Sequence, residues 1–182
     1  TKLFYTQLDK TALIIDDRMD GGGNVSPMIN ERLQREVYRM NMYRNGSEGL
    51  ATIPESTHHG PKVCLVDKYS SSDGDLFPYG FQKLGIGPLI GTRTWGGIVG
   101  ISGSKPYVDG QDVRTPFFTS YSTDGKWILE NEGVTPDIYV DINPFEDYLG
   151  NDAQLKKAVE VLLEQIKTYP QLPGVPKPRI MD

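Results

Sequence analysis

The sequence predicts an α/β fold in which helices flank a mostly parallel sheet. Two short apolar runs, residues 12–16 and 62–67, have the continuous hydrophobic character of strands that are buried on both faces. A turn-forming stretch and then a segment with helical spacing follow each run, an alternation that is typical of βα units. With 182 residues, the chain is long enough for one domain with a substantial core.

The first half of the chain supplies both core strands. Residues 2–8 are predicted to end a helix, and residues 12–16 to form the first strand. A helix is expected from Ser26 to about Met42, because serine is a favoured cap and proline fits the first helical turn. Residues 45–60 are predicted to be an irregular loop before the second strand, 62–67.

The second half begins with a helix and is then rich in strands. The amphipathic stretch 76–84 is predicted to end at Gly85. Asp152 is expected to cap a final helix to about Lys167. The apolar stripe of this helix comprises Leu155, Val159, Leu162, Leu163 and Ile166. The remaining predicted elements are short strands at 88–91 and 98–101, a β-rich region at 107–140, and an extended proline-rich tail at 170–182.

Composition and charge exclude several classes of function. The net charge of −5 and the absence of a basic block argue against a nucleic-acid or anionic-membrane partner. No apolar stretch is long enough to span a bilayer, and no signal segment opens the chain, so we expect a cytoplasmic protein. A single cysteine, Cys64, excludes an internal disulfide and lies within a core strand. Because the chain begins with Thr1, we interpret it as a piece of a longer protein.

Three consecutive serines, Ser70, Ser71 and Ser72, stand between the second strand and the following helix. A serine on a sharp strand-to-helix turn exposes its hydroxyl at the edge of the sheet, where N–H groups at the helix start can face an oxyanion. The alternative is that these serines are turn and N-cap residues, since serine is favoured there for local hydrogen bonding.

A glycine-rich loop, residues 20–24, follows the first strand. It lacks the spacing of a dinucleotide-binding loop and the lysine of a P-loop, so a nucleotide site is not expected. The loop is either a tight turn that needs positive φ or a source of N–H donors to an oxyanion. The second interpretation requires that the two strands be neighbours, because both loops then emerge at the carboxyl edge of the sheet.

Four blocks occur in the order found in tricorn-type serine peptidases. They are residues 16–24 (DDRMDGGGN), 70–75 (SSSDGD), 91–97 (GTRTWGG) and 130–137 (ENEGVTPD). The chain resembles this group, which belongs to the carboxyl-terminal processing peptidases, over residues 2–166. The resemblance implies a ClpP/crotonase-like layered α/β fold, a catalytic domain at 1–169, and endopeptidase activity on peptides without a cofactor or metal.

The resemblance also assigns roles to individual residues. The serine directly before the Asp-Gly-Asp triplet resembles the nucleophile, which is Ser72 here. The backbone N–H of Asp73 and that of Gly22 or Gly23 would form the oxyanion hole. Glu130 resembles the carboxylate that orients the catalytic base through an intervening hydroxyl. Glu132 is the alternative if the register differs by two residues.

Two departures from the family pattern bear on the catalytic base. Gly97 stands where the processing peptidases carry a lysine base, which favours the tricorn branch. Tricorn enzymes take their histidine from an upstream helical subdomain, separated by a PDZ domain. The chain's two histidines, His58 and His59, lie in the loop before the second core strand, and the alternative is that one of them is the base of a rearranged triad. The resemblance therefore implies that the base and its domains belong to the longer protein, that the chain alone is inactive, and that the protein is a homo-oligomer.

Two other classes of function stay open from the sequence. A crotonase-like acyl-CoA enzyme would use the same paired N–H groups and give Ser72 no role. A non-catalytic assembly module would retain the motifs as structure only. Reaction with serine-directed phosphonates separates both from a peptidase.

Overall fold

The structure, a computed structural model, describes residues 2–43, 51–103 and 105–177. Its centre is a four-stranded parallel sheet, and two antiparallel ribbons lie outside this sheet. The strands are β1 (Leu13–Asp16), β2 (Arg39–Asn41), β3 (Ala51–Ile53), β4 (Lys62–Val66), β5 (Leu89–Gly91), β6 (Gly100–Gly103), β7 (Arg114–Phe118) and β8 (Ile138–Tyr139). The helices are α1 (Lys2–Tyr5), α2 (Ser26–Leu33), α3 (Asp73–Lys83), α4 (Pro144–Tyr148) and α5 (Ala153–Thr168).

The central sheet has the order β1-β4-β5-β8 and confirms the predicted mostly parallel α/β architecture. The ribbons are β2–β3 and β6–β7. Strand β4 is buried along its whole length and divides the core into two clusters. Cys64 and Val66 pack towards α2 and α3, whereas Val63 and Leu65 pack towards α5. Alternation of side chains along the strand explains this division.

Strand β1 differs from its prediction in one respect. Among the described residues it pairs only with β4, and its residues are half-buried or exposed rather than buried on both faces. An edge position explains the difference, because a strand with one neighbour keeps its outer edge open.

The helix expected from Ser26 to Met42 is wrong in its second half. α2 ends at Leu33, and the chain then becomes extended, with Tyr38 N–H donating to Ile53 O. The strand partner β3 lies inside the predicted loop 45–60, of which residues 45–50 lie outside the described part. Pairing with a distant segment overrides local helical spacing here.

Helix α5 begins after its predicted cap, Asp152, but its buried face differs from the predicted stripe. Leu162 is buried, whereas Leu155, Val159 and Leu163 are exposed. The face that contacts the sheet carries Gln154 and Ala158 instead. Gln154 donates its amide to Val140 O at 2.8 Å. The face of α5 against the sheet is therefore determined by this hydrogen bond and by the small side chain of Ala158, and not by the largest apolar side chains.

The described helices include none that is long and apolar enough to cross a bilayer. Residues 170–177, the described part of the predicted tail, contain no helix or strand. The tail begins against His59, whose Nε2 lies 2.7 Å from Pro170 O. Because a carbonyl oxygen only accepts, this ring nitrogen carries the proton.

Candidate active site

The predicted nucleophile and the glycine loop meet at one edge of the sheet. β1 and β4 are parallel neighbours, with Asp16 opposite Leu65, so the segments that follow them emerge side by side. Ser71 N–H donates to Asp20 O at 2.8 Å and ties the two loops together. The condition that the sequence left open for a shared site is therefore met.

Ser72 is the N-cap residue of α3 and ends the turn that connects β4 to this helix. Its backbone has φ 58° and ψ −113°, in the left-handed half of φ space that residues with a side chain rarely adopt. Such strain concentrates at functional sites. Asp73 is the first helical residue, and its N–H has no intrahelical acceptor because it belongs to the first turn.

Gly22 packs directly against the side chain of Ser72. A Cβ added at Gly22 would lie 2.7 Å from Ser72 Cβ and 3.0 Å from Ser72 Oγ, and φ is +115° there. The Gly22 N–H donates to Asp20 Oδ1 at 2.9 Å. The hydrogen bonds within the described part of the chain leave the N–H of Gly23 and that of Asp73 without an acceptor. Gly23 is thus the better placed of the two predicted glycine donors.

Asp75 connects Ser72 to the Trp95–Gly97 turn. The side chain is fully buried, and Ser72 N–H donates to its Oδ2 at 3.0 Å. Gly96 N–H donates to Oδ1 at 2.8 Å and Gly97 N–H to Oδ2 at 3.1 Å. Bonds to an ionised acceptor are stronger than those between neutral groups, so this carboxylate holds the serine turn rigidly.

Glu130 contacts the same turn from the other side. Its Oε2 accepts from Ile98 N–H at 2.8 Å and from Val99 N–H at 3.0 Å. Asp75 and Glu130 therefore bind four consecutive N–H groups, and the predicted strand 98–101 begins two residues late, at Gly100. Glu132 is exposed and contributes its carbonyl to Arg93 instead. The geometry brings Glu130, rather than Glu132, to the turn beside the serine.

The two histidines lie at the opposite edge of the sheet from Ser72. His58 precedes the amino end of β4, and the five residues of this strand separate it from the serine turn by about 16 Å. His58 is buried and its ring nitrogens have no partner among the described residues. Burial, with Lys62 nearby, lowers its pKa to about 4. His59 Nε2 contacts Pro170 O, and both histidines lie before the amino end of β4, away from the serine turn that follows this strand.

Asp17 is buried beneath the glycine loop, with only 6% of its surface exposed. Burial, together with the nearby carboxylates of Asp20, Asp73 and Asp16, raises its pKa to about 9. Asp17 is consequently protonated at neutral pH. Its carbonyl oxygen accepts from Ser70 Oγ at 2.9 Å, which gives Ser70 a structural role in the turn.

The substitution Asp17→Asn should flatten the pH dependence of stability. The pKa of Asp17 is about 9 in the folded state and about 3.8 in the unfolded state. The part of the folding free energy that its protonation contributes is therefore fully present below pH 3.8 and is lost as pH rises through 9. Asparagine is neutral at every pH. We expect the variant to melt about 2–8 °C above the parent at pH 8, with a smaller difference at pH 5. Thermal denaturation from pH 5 to 9 measures this, with exposed Asp9→Asn as the control, and parallel curves for Asp17→Asn and the parent would contradict the assignment.

Sequence reasoning missed the carboxylates that support the site. Asp75 stands three residues after Ser72, the serine–acid spacing of a capping box, and this signal could have identified it. The contacts of the Asp73 carboxylate with α2 had no such signal, because they join residues 47 and 48 positions apart.

Comparison with known proteins agrees with this geometry. The sequence profile of peptidase family S41 matches residues 2–140. The chain belongs to peptidase family S41. It is 36% identical to the tricorn protease of Thermoplasma acidophilum over 177 residues, covering 95% of this chain and 16% of that protein. It is 38% identical to a tricorn protease homolog of Saccharolobus solfataricus over 168 residues, covering 91% of this chain and 15% of the relative.

A crystal structure of the tricorn protease superposes with a TM-score of 0.86 at 36% identity, covering 92% of this chain and 16% of that one. The fold and the resemblance predicted from the four blocks are thereby confirmed. Membership of family S41 supports a serine peptidase domain over the acyl-CoA enzyme and the non-catalytic module. It spans about a sixth of the length of these curated relatives.

Proposed function

We propose that this S41 domain carries the nucleophile and the oxyanion hole of a serine endopeptidase that acts on peptides. The observation that supports this most strongly is the strained backbone of Ser72 at the start of α3, with Gly22 packed against its side chain. A Cβ added at Gly22 would lie 3.0 Å from Ser72 Oγ and 3.5 Å from Asp73 N, so the glycine loop borders both the hydroxyl and one proposed donor.

The proposed reaction is acyl transfer. Ser72 Oγ attacks the peptide carbonyl carbon, its proton passes to a base, and the carbonyl oxygen becomes an oxyanion. The N–H groups of Asp73 and of Gly23, or Gly22 if its bond to Asp20 is released, would stabilise this oxyanion. The amine leaves with the proton from the base, and water then hydrolyses the acyl-enzyme by the same steps.

We propose that the base is a histidine from another part of a longer protein. A serine hydroxyl needs a base within hydrogen-bond reach, and the described histidines are at the opposite edge of the sheet. Glu130 would orient that histidine through a hydroxyl, using Oε1, which accepts no hydrogen bond within the described residues. The chain alone would then be inactive.

Other expectations rest on the resemblance to tricorn enzymes. We propose that residues 1–169 form the catalytic unit and 170–182 a peripheral tail, and that a PDZ domain and a histidine-bearing helical subdomain complete the protein. Assembly into a homo-oligomer and a cytoplasmic location belong to the same proposal. The short coverage of the tricorn relatives is consistent with further domains.

A fluorophosphonate probe tests the proposal on the isolated chain and on the complete gene product. We expect labelling of the complete product, none of the isolated chain, and none after Ser72→Ala. Ser71→Ala is the matched control in the same turn, because its side chain makes no hydrogen bond to the described residues, and it should label normally.

The outcomes separate the parts of the proposal. Labelling of the isolated chain at Ser72 would mean that the base is local and would overturn the proposed upstream histidine. Labelling at another serine, or none of the complete product, would overturn Ser72 as the nucleophile.

A further inference from the structure

We propose that Asp73 serves the oxyanion hole twice, as an N–H donor and as the positioning residue whose carboxylate fixes the loop bearing Gly22 and Gly23. The inference rests on the proposed function of Ser72 and concerns the side chain of its neighbour. Asp73 touches the oxyanion only through its backbone, so its carboxylate acts through the other loop.

The Asp73 carboxylate accepts three hydrogen bonds from the start of α2. Oδ2 accepts from Val25 N–H at 2.7 Å and from Ser26 N–H at 3.0 Å, and Oδ1 accepts from Ser26 Oγ at 2.5 Å. The residue is only 2% exposed. Three charge-assisted bonds in a site closed to water hold two segments at a defined distance.

The glycine loop runs between two anchors. Near its start, Arg18 forms ion pairs with Asp16 at 2.6 Å and with Asp152 at 2.8 Å. At its end, Val25 and Ser26 are held by Asp73. A Cβ added at Gly23 would lie 3.6 Å from Asp73 Oδ2, so the candidate donor borders the carboxylate that restrains it.

The rest of α2 does not replace this restraint. Asn30, one turn further along, donates its amide to Phe77 O at 3.0 Å and keeps α2 against α3. This contact holds the body of the helix, whereas Val25 and Ser26 at its start are held by the Asp73 carboxylate. Loss of the Asp73 carboxylate would thus displace one oxyanion donor while both helices stay packed, and displacements of about 1 Å cost catalysis up to 100-fold.

The prediction is a selective loss of transition-state binding. In the complete gene product, Asp73→Asn keeps the N–H donor and the side-chain volume but places an amide among three donors. We expect kcat to fall about 10- to 100-fold with KM within about 2-fold of the parent value. A peptide aldehyde, which forms a tetrahedral adduct with the serine, should lose affinity in proportion to kcat/KM.

Ser26→Ala is the second variant, because it removes one of the three donors and is gentler on folding. We expect about a 3- to 10-fold lower kcat at unchanged KM, and less than additive losses in the double variant. Glu31→Gln, an exposed acid on the same helix, is the control and should match the parent. If Asp73→Asn fails to fold, Ser26→Ala against Glu31→Gln still measures the contribution of the Asp73 contacts to kcat.

Unchanged kcat in either folded variant, or a raised KM at unchanged kcat, would overturn the positioning role of Asp73. The proposed function would still stand in that case, provided that the parent is labelled at Ser72. A kcat loss without weaker aldehyde binding would also overturn it. If the parent itself is not labelled at Ser72, the proposed function and this inference fail together.

Discussion

Gly22→Ala should lower kcat/KM of the complete gene product by about 100-fold or more while the domain stays folded. The added methyl group would meet Ser72 Cβ at 2.7 Å and Oγ at 3.0 Å, and alanine is strained at φ +115°. Either the serine rotates away from its attacking position or the loop withdraws with its oxyanion donor. Loss of one such donor alone costs about 100- to 1,000-fold. Peptide hydrolysis and the rate of fluorophosphonate labelling measure the effect.

Gly21→Ala is the matched control for this experiment. A Cβ at Gly21 would have no atom within 4 Å, and its backbone lies outside the left-handed region. We expect activity within about 3-fold of the parent, since an exposed substitution without a clash has little effect. Equal losses in both variants would contradict the contact and indicate that loop flexibility, rather than space beside Ser72, limits the reaction.

Gly91→Ala should destabilise the domain more than any other glycine substitution considered above. Gly91 is the last residue of β5, with φ +143°, and an added Cβ would fall within bonding distance of Val66 O. The backbone cannot yield, because Gly91 O accepts from Val140 N–H at 2.9 Å and Thr92 N–H donates to Val66 O at 3.2 Å. We expect a loss of about 4 kcal/mol or more in the free energy of unfolding, measured by urea denaturation.

Gly174→Ala controls for the general effect of replacing glycine. No atom of the described residues lies within 4 Å of its added Cβ, and no left-handed φ constrains it. The change should alter the free energy of unfolding by less than about 1 kcal/mol. A Gly91→Ala variant as stable as this control would show that β5 does not approach β4 as described.

Local sequence patterns were enough to predict much of the fold and the candidate nucleophile Ser72. The continuous apolar runs marked β1 and β4, and the serine-rich turn marked the start of α3, because these signals lie within a few residues of one another. Capping identified the beginning of α5 at Asp152 for the same reason. The buried face of α5 was not predictable, since the choice between Ala158 and Val159 depends on what the sheet presents to the helix.

In the candidate site, too, local features were predictable from the sequence and contacts between distant segments were not. The sequence by itself determined the α/β class, the family and the candidate residues Ser72 and Glu130, because motif order and residue type are local properties. Only the tertiary structure decided that β1 and β4 are neighbours, that Gly22 packs on Ser72, and that the histidines lie far from it. It also showed that the Asp73 carboxylate accepts hydrogen bonds from the start of α2, and that the Asp75 carboxylate accepts them from the Trp95–Gly97 turn. These facts depend on contacts between segments tens of residues apart, which spacing along the chain does not encode.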